Sequence, residues 1–117
     1  MLPAPHRLRR SDEFGRTVRH GVRAGRSTLV VHVAPDPGSE TAKVGFVVSK
    51  AVGNAVTRNL VKRRLRAASA DLVPDLTEVA VVVRALPASS DARYDQLAGD
   101  LRSAVAAAYR RLPTGRV

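Results

Sequence analysis

The sequence predicts one small α/β domain with its elements in the order α-β-β-β-α-β-α over 117 residues. Three observations carry this prediction. Runs rich in β-branched residues, at 28–34, 43–49 and 78–84, alternate with stretches of helical period. The length suffices to bury a real core but falls short of the size at which chains split into domains. No internal repeat, second domain or low-complexity segment interrupts residues 1–117.

Residues 1–10 hold two Pro and three Arg and read as an extended basic arm. Ser11 is placed to cap a short helix, with Asp12 and Glu13 in its first turn and Gly21 to close it. Phe14 and Val18 share its apolar face at i+4. Residues 22–27 (VRAGRS) form a basic link that includes a short strand. Residues 28–34 (TLVVHVA) and 43–49 (KVGFVVS) are the two clear strands, joined by a turn over 35–40.

Gly53-Asn54 is a turn and cap signal for the next helix, over 55–72. Val61, Leu65, Ala68 and Leu72 follow i, i+4, i+7, i+11 and make one apolar stripe. Arg58, Lys62 and Arg66 stack at i+4 on another side, and Asn59 and Arg63 continue them into a basic band. Pro74 ends that pattern. Residues 78–84 (EVAVVVR) form a near-continuous apolar run, as in a strand covered on both faces. After Leu86-Pro87, Ser90 is placed to cap a long final helix. Tyr94, Leu97, Leu101, Val105, Ala108 and Leu112 face inward on it, and Pro113 ends it.

The formal net charge is +10, and its distribution is uneven. Residues 1–66 hold 14 Lys/Arg against 4 Asp/Glu, whereas residues 67–117 hold 6 of each. All the excess therefore lies in the first 66 residues, as in an electrostatic footprint. Between 49 and 66 the chain places Lys50, Arg58, Lys62, Arg63, Arg64 and Arg66 with no acid among them. A solvated helix face usually mixes signs, because like charges at i+4 cost stability. An acid-free face rich in Arg, whose planar fork suits phosphate, points to a polyanionic partner.

Several chemistries are excluded or unsupported. With no Cys there are no disulfides or thiolate metal sites. His6, His20 and His32 are too scattered for a metal motif, so no metal site is expected in the protein. The adjacent acids Asp12-Glu13 suit a helix N-terminus. Gly53-Asn54 is not followed by the Gly-Lys-Ser/Thr of a phosphate loop. The segment KVGFVVS resembles part of an RNA-recognition-motif signature, but the further aromatics and the element order of that fold are missing. The absence of a long apolar run and of a signal-peptide core predicts a soluble, cytoplasmic chain with no membrane partner.

With these residues in place, the chain resembles the bacterial ribonuclease P protein component. The resemblance rests on Ser49-Lys50, Gly53-Asn54-Ala55-Val56, Arg58-Asn59, Lys62-Arg63 and Arg66. It extends to the Arg-Leu-Arg-Arg opening, the Phe14 helix, His20-Gly21, Val44-Gly45 and Arg84-Ala85 with Pro87. It implies an α+β two-layer sandwich with a left-handed βαβ crossover, contrary to the general preference. It also implies a protein subunit that binds the catalytic RNA and the 5′ leader of precursor tRNA and assists removal of the leader. The RNA would carry the active site and use Mg²⁺, no catalytic residue would lie in the protein, and no DNA partner is expected.

Carried over residue by residue, the resemblance assigns Arg58, Asn59, Lys62, Arg63 and Arg66 to the RNA subunit, with Lys50 and Asn54 at the helix entrance. It places a leader cleft between the first helix and the sheet, lined by Phe14, Val18, Val30 and His32. Val30 and His32, two apart, share one strand face. His32 stands where Tyr is frequent and Val18 where a second Phe is frequent, so stacking on the leader is reduced. The competing reading is a ribosomal-protein-like RNA-binding module with no part in cleavage; a stand-alone enzyme has almost no support in the residues.

Overall fold

The computed structural model describes residues 11–38 and 40–112. The basic arm at 1–10 and the helix stop at Pro113 lie outside these. Helix α1 (Ser11–His20) leads into the short strand β1 (Val22–Gly25), then β2 (Leu29–Pro35) and β3 (Lys43–Val47). Helix α2 (Ala55–Ala70), strand β4 (Val79–Ala85) and helix α3 (Tyr94–Arg111) complete the α-β-β-β-α-β-α order read from the sequence.

The four strands form one sheet in the order β1-β2-β4-β3. β1 and β4 pair antiparallel with β2, while β3 pairs parallel with β4. A parallel pair needs a crossover between its strands, and α2 supplies it. Alternate strand residues then divide between two faces. Leu29, Val31, Val33, Val79, Val81 and Val83 turn to one face and form the main core with Val61 and Leu65 of α2 and Leu97 and Leu101 of α3. On the other face Ala80 and Val82 meet Phe14 of α1. The sheet and the α2–α3 layer are thus the body of the sandwich, and α1 lies across part of the opposite face.

Local contacts fix these positions. A Cβ on Gly21 would lie 2.5 Å from the Thr17 carbonyl oxygen and 2.6 Å from that of Val33. Only glycine lets the end of α1 come this close to β2. The Glu13 carboxylate lies 3.6 Å from Lys43 Nζ, tying α1 to β3. On the core side, Thr28 is fully buried and its hydroxyl donates to Asp100 Oδ2 at 2.7 Å. Arg26 Nε donates to Ser103 Oγ at 2.7 Å, so α3 is anchored to the β1–β2 turn at two points.

The boundaries differ from the sequence reading in several places: β2 and β4 each run one residue later than 28–34 and 78–84, and β3 stops at Val47 rather than 49. The central helix ends at Ala70 rather than 72, and Leu72 packs on the core from the following turn, ahead of a short 3₁₀ segment over Val73–Asp75. Ser90 does not cap α3. Its hydroxyl donates to the Pro87 carbonyl within a 3₁₀ turn, Pro87–Ser90, and α3 starts after Arg93 without a side-chain cap. Tyr94 is 42% exposed rather than inward, and burial along α3 begins one turn later at Leu97.

Candidate nucleic-acid interface

The basic helix starts from a backbone that its sequence dictates. Gly53 has φ +155°, and a Cβ there would meet Cβ and Cγ2 of Thr57 at 3.0 Å. Asn54 follows in an extended conformation, and its side chain accepts from the Thr57 N–H at 2.9 Å. The first turn of α2 carries no acid, so the positive end of the helix dipole is left without a carboxylate of its own helix. Lys50 is exposed in the preceding turn, where its carbonyl accepts from Gly53 N–H at 3.2 Å.

Beyond the cap the helix sorts as its period requires. Val61, Leu65 and Ala68 are buried against the sheet and α3. Asn59, Lys62, Arg63 and Arg66 line an open depression together with Val56. Arg58 is not among the lining residues. At 100° per residue it borders the apolar stripe, and its Nε is buried without a hydrogen-bond partner. Arg64 leaves the front altogether, because its Nη1 donates to the Ala92 carbonyl at 3.1 Å and joins α2 to the segment before α3. Among the described residues the ion pairs are Lys43–Glu13 and Arg93–Asp95, neither of them on α2. Val56, named above only as part of the Gly53–Val56 turn, was not assigned to this surface by sequence reasoning. It is 79% exposed, an apolar side chain inside a cationic surface, and its position off the Val61–Leu65 stripe was the available signal.

The second surface is the sheet face that α1 partly overlies. Val30 and His32 lie on it as expected, and both are buried. Phe14 is half-buried and packs on Ala80 and Val82, so it belongs to the floor of the cleft as much as to its wall. Val18 is 43% exposed, on the open side of α1. His32 Nε2 is buried with no hydrogen-bond partner. Burial first, then the charges of Arg84 and Arg23, lower the pKa of His32 from its ordinary value. The imidazole is therefore neutral at neutral pH.

Comparison with known proteins decides the family. The profile of the family described as Ribonuclease P matches residues 2–109. The chain belongs to the ribonuclease P protein family. A ribonuclease P protein component from Kocuria rhizophila is 57% identical over 112 residues, covering 95% of this chain and 98% of that one. One from Pseudarthrobacter chlorophenolicus is 51% identical over 113 residues, covering 96% and 83%. Among solved structures, a mutant Staphylococcus aureus RNase P protein superposes with a TM-score of 0.82 at 25% identity, covering 89% of this chain and 88% of that one. The RNase P protein from Thermotoga maritima gives a TM-score of 0.74 at 19% identity, covering 92% and 98%, which bears on the fold alone. Membership makes the chain the protein component of a ribonucleoprotein endoribonuclease, with a subunit role in tRNA 5′ processing.

Proposed function

We propose that the two surfaces divide the work of a ribonuclease P subunit. The front of α2, with Asn59, Lys62, Arg63 and Arg66, and with Lys50, Asn54 and Arg58 at its entrance and edge, docks on the RNA subunit. The face between α1 and the sheet, with Phe14, Val18, Val30 and His32, receives the 5′ leader of precursor tRNA. The observation that carries this reading is the front of α2: a row of cations with no acid in the helix and no ion pair among the described residues. Such a surface is stable beside phosphates and self-repelling without them.

The protein contributes position and charge rather than bond chemistry. Among the described residues there is no group of three or more His, Asp or Glu side chains that could hold a metal ion. Mg²⁺ would be used by the RNA subunit, and lysine and arginine side chains at the interface lower the repulsion between leader and RNA backbones. No described helix is long and apolar enough to cross a membrane, and the site of action proposed is the cytoplasm. The test is reconstitution with the organism's own ribonuclease P RNA. Added protein lowers the Mg²⁺ concentration needed for cleavage of a precursor tRNA, and Arg63→Ala loses much of that effect. A protein that binds RNA but leaves the Mg²⁺ requirement unmoved sinks the proposal in favour of a general RNA-binding module.

A further inference from the structure

Helix α1 has a second side that the cleft does not use. Arg16 and His20 stand at i and i+4, about 200° around the helix from Phe14 and Val18, so they point away from the cleft. They line a pocket of about 160 Å³ at the end of β2, together with Asp36 and Pro37 of the following turn. Its floor is Ala34 and Ala80, which are cross-strand partners and both buried. Arg16 and His20 are exposed and Asp36 is half-buried. The ion pairs among the described residues are Lys43–Glu13 and Arg93–Asp95, so neither base is paired with Asp36 across the pocket. The turn that carries Asp36 is held under strain. Glu78 has φ 55°, in the left-handed region that such a side chain rarely adopts. From there its carbonyl accepts the Asp36 N–H at 2.7 Å, and its Oε1 accepts the Gly38 N–H at 3.3 Å. Strain of this kind collects at binding sites more than at plain connections.

We propose that this pocket is a binding site for a free guanine nucleotide, held by its base between Arg16 and Asp36. The site is independent of the two RNA surfaces proposed above. A small apolar floor flanked by opposite charges that do not meet suits a flat ligand with donors on one edge and acceptors on the next. Guanine has that pattern. Its N1–H and N2–H donate together to the Asp36 carboxylate, while O6 and N7 accept the two arms of the Arg16 guanidinium. Adenine would turn its N1 lone pair toward the carboxylate and is rejected by that repulsion. His20, at the exposed end of α1, is left to meet the phosphate. An unpaired guanine within an RNA shares this chemistry, and the experiment separates the two sources.

The full chain is titrated with guanosine, adenosine and xanthosine monophosphates and with inorganic phosphate, and its backbone amide NMR shifts are followed. Guanosine monophosphate moves the amides of 16–20 and 34–38 saturably, whereas adenosine monophosphate and phosphate leave them in place. Arg16→Ala weakens guanosine monophosphate roughly 5- to 150-fold, the range of one bidentate contact to a base. Asp36→Asn supplies the sharper readout. The Asn amide accepts from N1–H and donates to the 2-oxygen of xanthine, so this variant binds guanosine monophosphate more weakly and xanthosine monophosphate more tightly than the parent. A merely structural Asp36 would not exchange the two bases. Holoenzyme assembled with the organism's ribonuclease P RNA is then titrated in the same way. Equal affinity for guanosine monophosphate in free protein and holoenzyme supports a free nucleotide. A pocket closed to it in the holoenzyme overturns that assignment and gives the site to a guanine of the RNA. Equal binding of the guanosine and adenosine nucleotides, or binding without movement at 16–20 and 34–38, overturns the site itself.

Discussion

The Asn54 side-chain oxygen accepts the Thr57 N–H at 2.9 Å and so closes the exposed start of α2. The same residue stands at the entrance of the proposed RNA surface, which gives its variants opposite signatures. Asn54→Ala should cost about 1 kcal/mol of stability, measured by urea unfolding. Asn54→Asp should leave the free protein at least as stable, since Asp also caps and its charge suits the helix N-terminus. It should nevertheless weaken RNA binding by placing an anion on the cationic front. An Asp variant that binds RNA as the parent does would remove Asn54 from the interface.

Charge position should matter more than charge count. Arg63 lies on the α2 front, whereas Arg102 is exposed on α3, in the half of the chain with balanced charge. Affinity for the RNA subunit should fall with salt at a log–log slope of about −0.7 to −0.9 per phosphate neutralised. Arg63→Ala should flatten the slope by roughly one contact, and Arg102→Ala should not change it. Equal effects from both would reduce the interface to net charge.

His32 makes the fold sensitive to mild acid. Its folded pKa is lowered by burial and then by Arg84 and Arg23, so the unfolded chain takes up this proton more readily than the native one. The stability associated with neutral His32 is therefore complete above the unfolded value and lost as pH falls through it toward the lower folded value. Thermal or urea midpoints should drop over that window, and His32→Asn should make the drop shallower. A parent and a His32→Asn protein with parallel pH profiles would contradict the assignment.

Most of the fold was legible because its signals are local. Residues 28–34 and 78–84 are β-branched runs, and Asn54 with the Val61–Leu65 stripe defines α2. Two of the misplacements turned on a competing hydrogen bond that spacing does not reveal. Ser90 had the right type for a cap, but Pro87 draws its hydroxyl into a 3₁₀ turn. Arg64 belonged to the basic run, but the Ala92 carbonyl 28 positions away removes it from the front. Arg23 and Arg84 could not be grouped with His32 from the sequence, because only the β1–β2 and β2–β4 registers bring them to one face.

The anchor of α3 offers a test of the core. Thr28 is fully buried, and its hydroxyl depends on Asp100 at 2.7 Å. Asp100→Ala leaves that hydroxyl buried without an acceptor and should cost about 1–3 kcal/mol. Thr28→Val removes the unsatisfied group, so the double variant should be more stable than the sum of the single losses. Strict additivity in urea unfolding would show that the pair is not coupled.

The last prediction separates the two surfaces, and it turns on Phe14. Its ring packs on Ala80 and Val82 yet remains partly accessible at the cleft, so one substitution cannot tell filling from stacking. Phe14→Leu keeps most of the apolar volume over Ala80 and Val82 but removes the flat face on which a base would stack. Phe14→Ala removes both. If the ring meets the leader, both variants should weaken holoenzyme binding to a precursor with a several-nucleotide leader, by about 1–3 kcal/mol per stacked base. Neither should alter binding of mature tRNA, which has no leader to stack. Arg63→Ala should behave in the opposite way, weakening assembly with the RNA subunit whatever the substrate. The measurement is substrate affinity against leader length, at protein concentrations that saturate the RNA. A Phe14→Leu holoenzyme that binds the leader-bearing precursor as the parent does, beside a Phe14→Ala protein that is merely less stable, would place Phe14 in the core and outside the leader path.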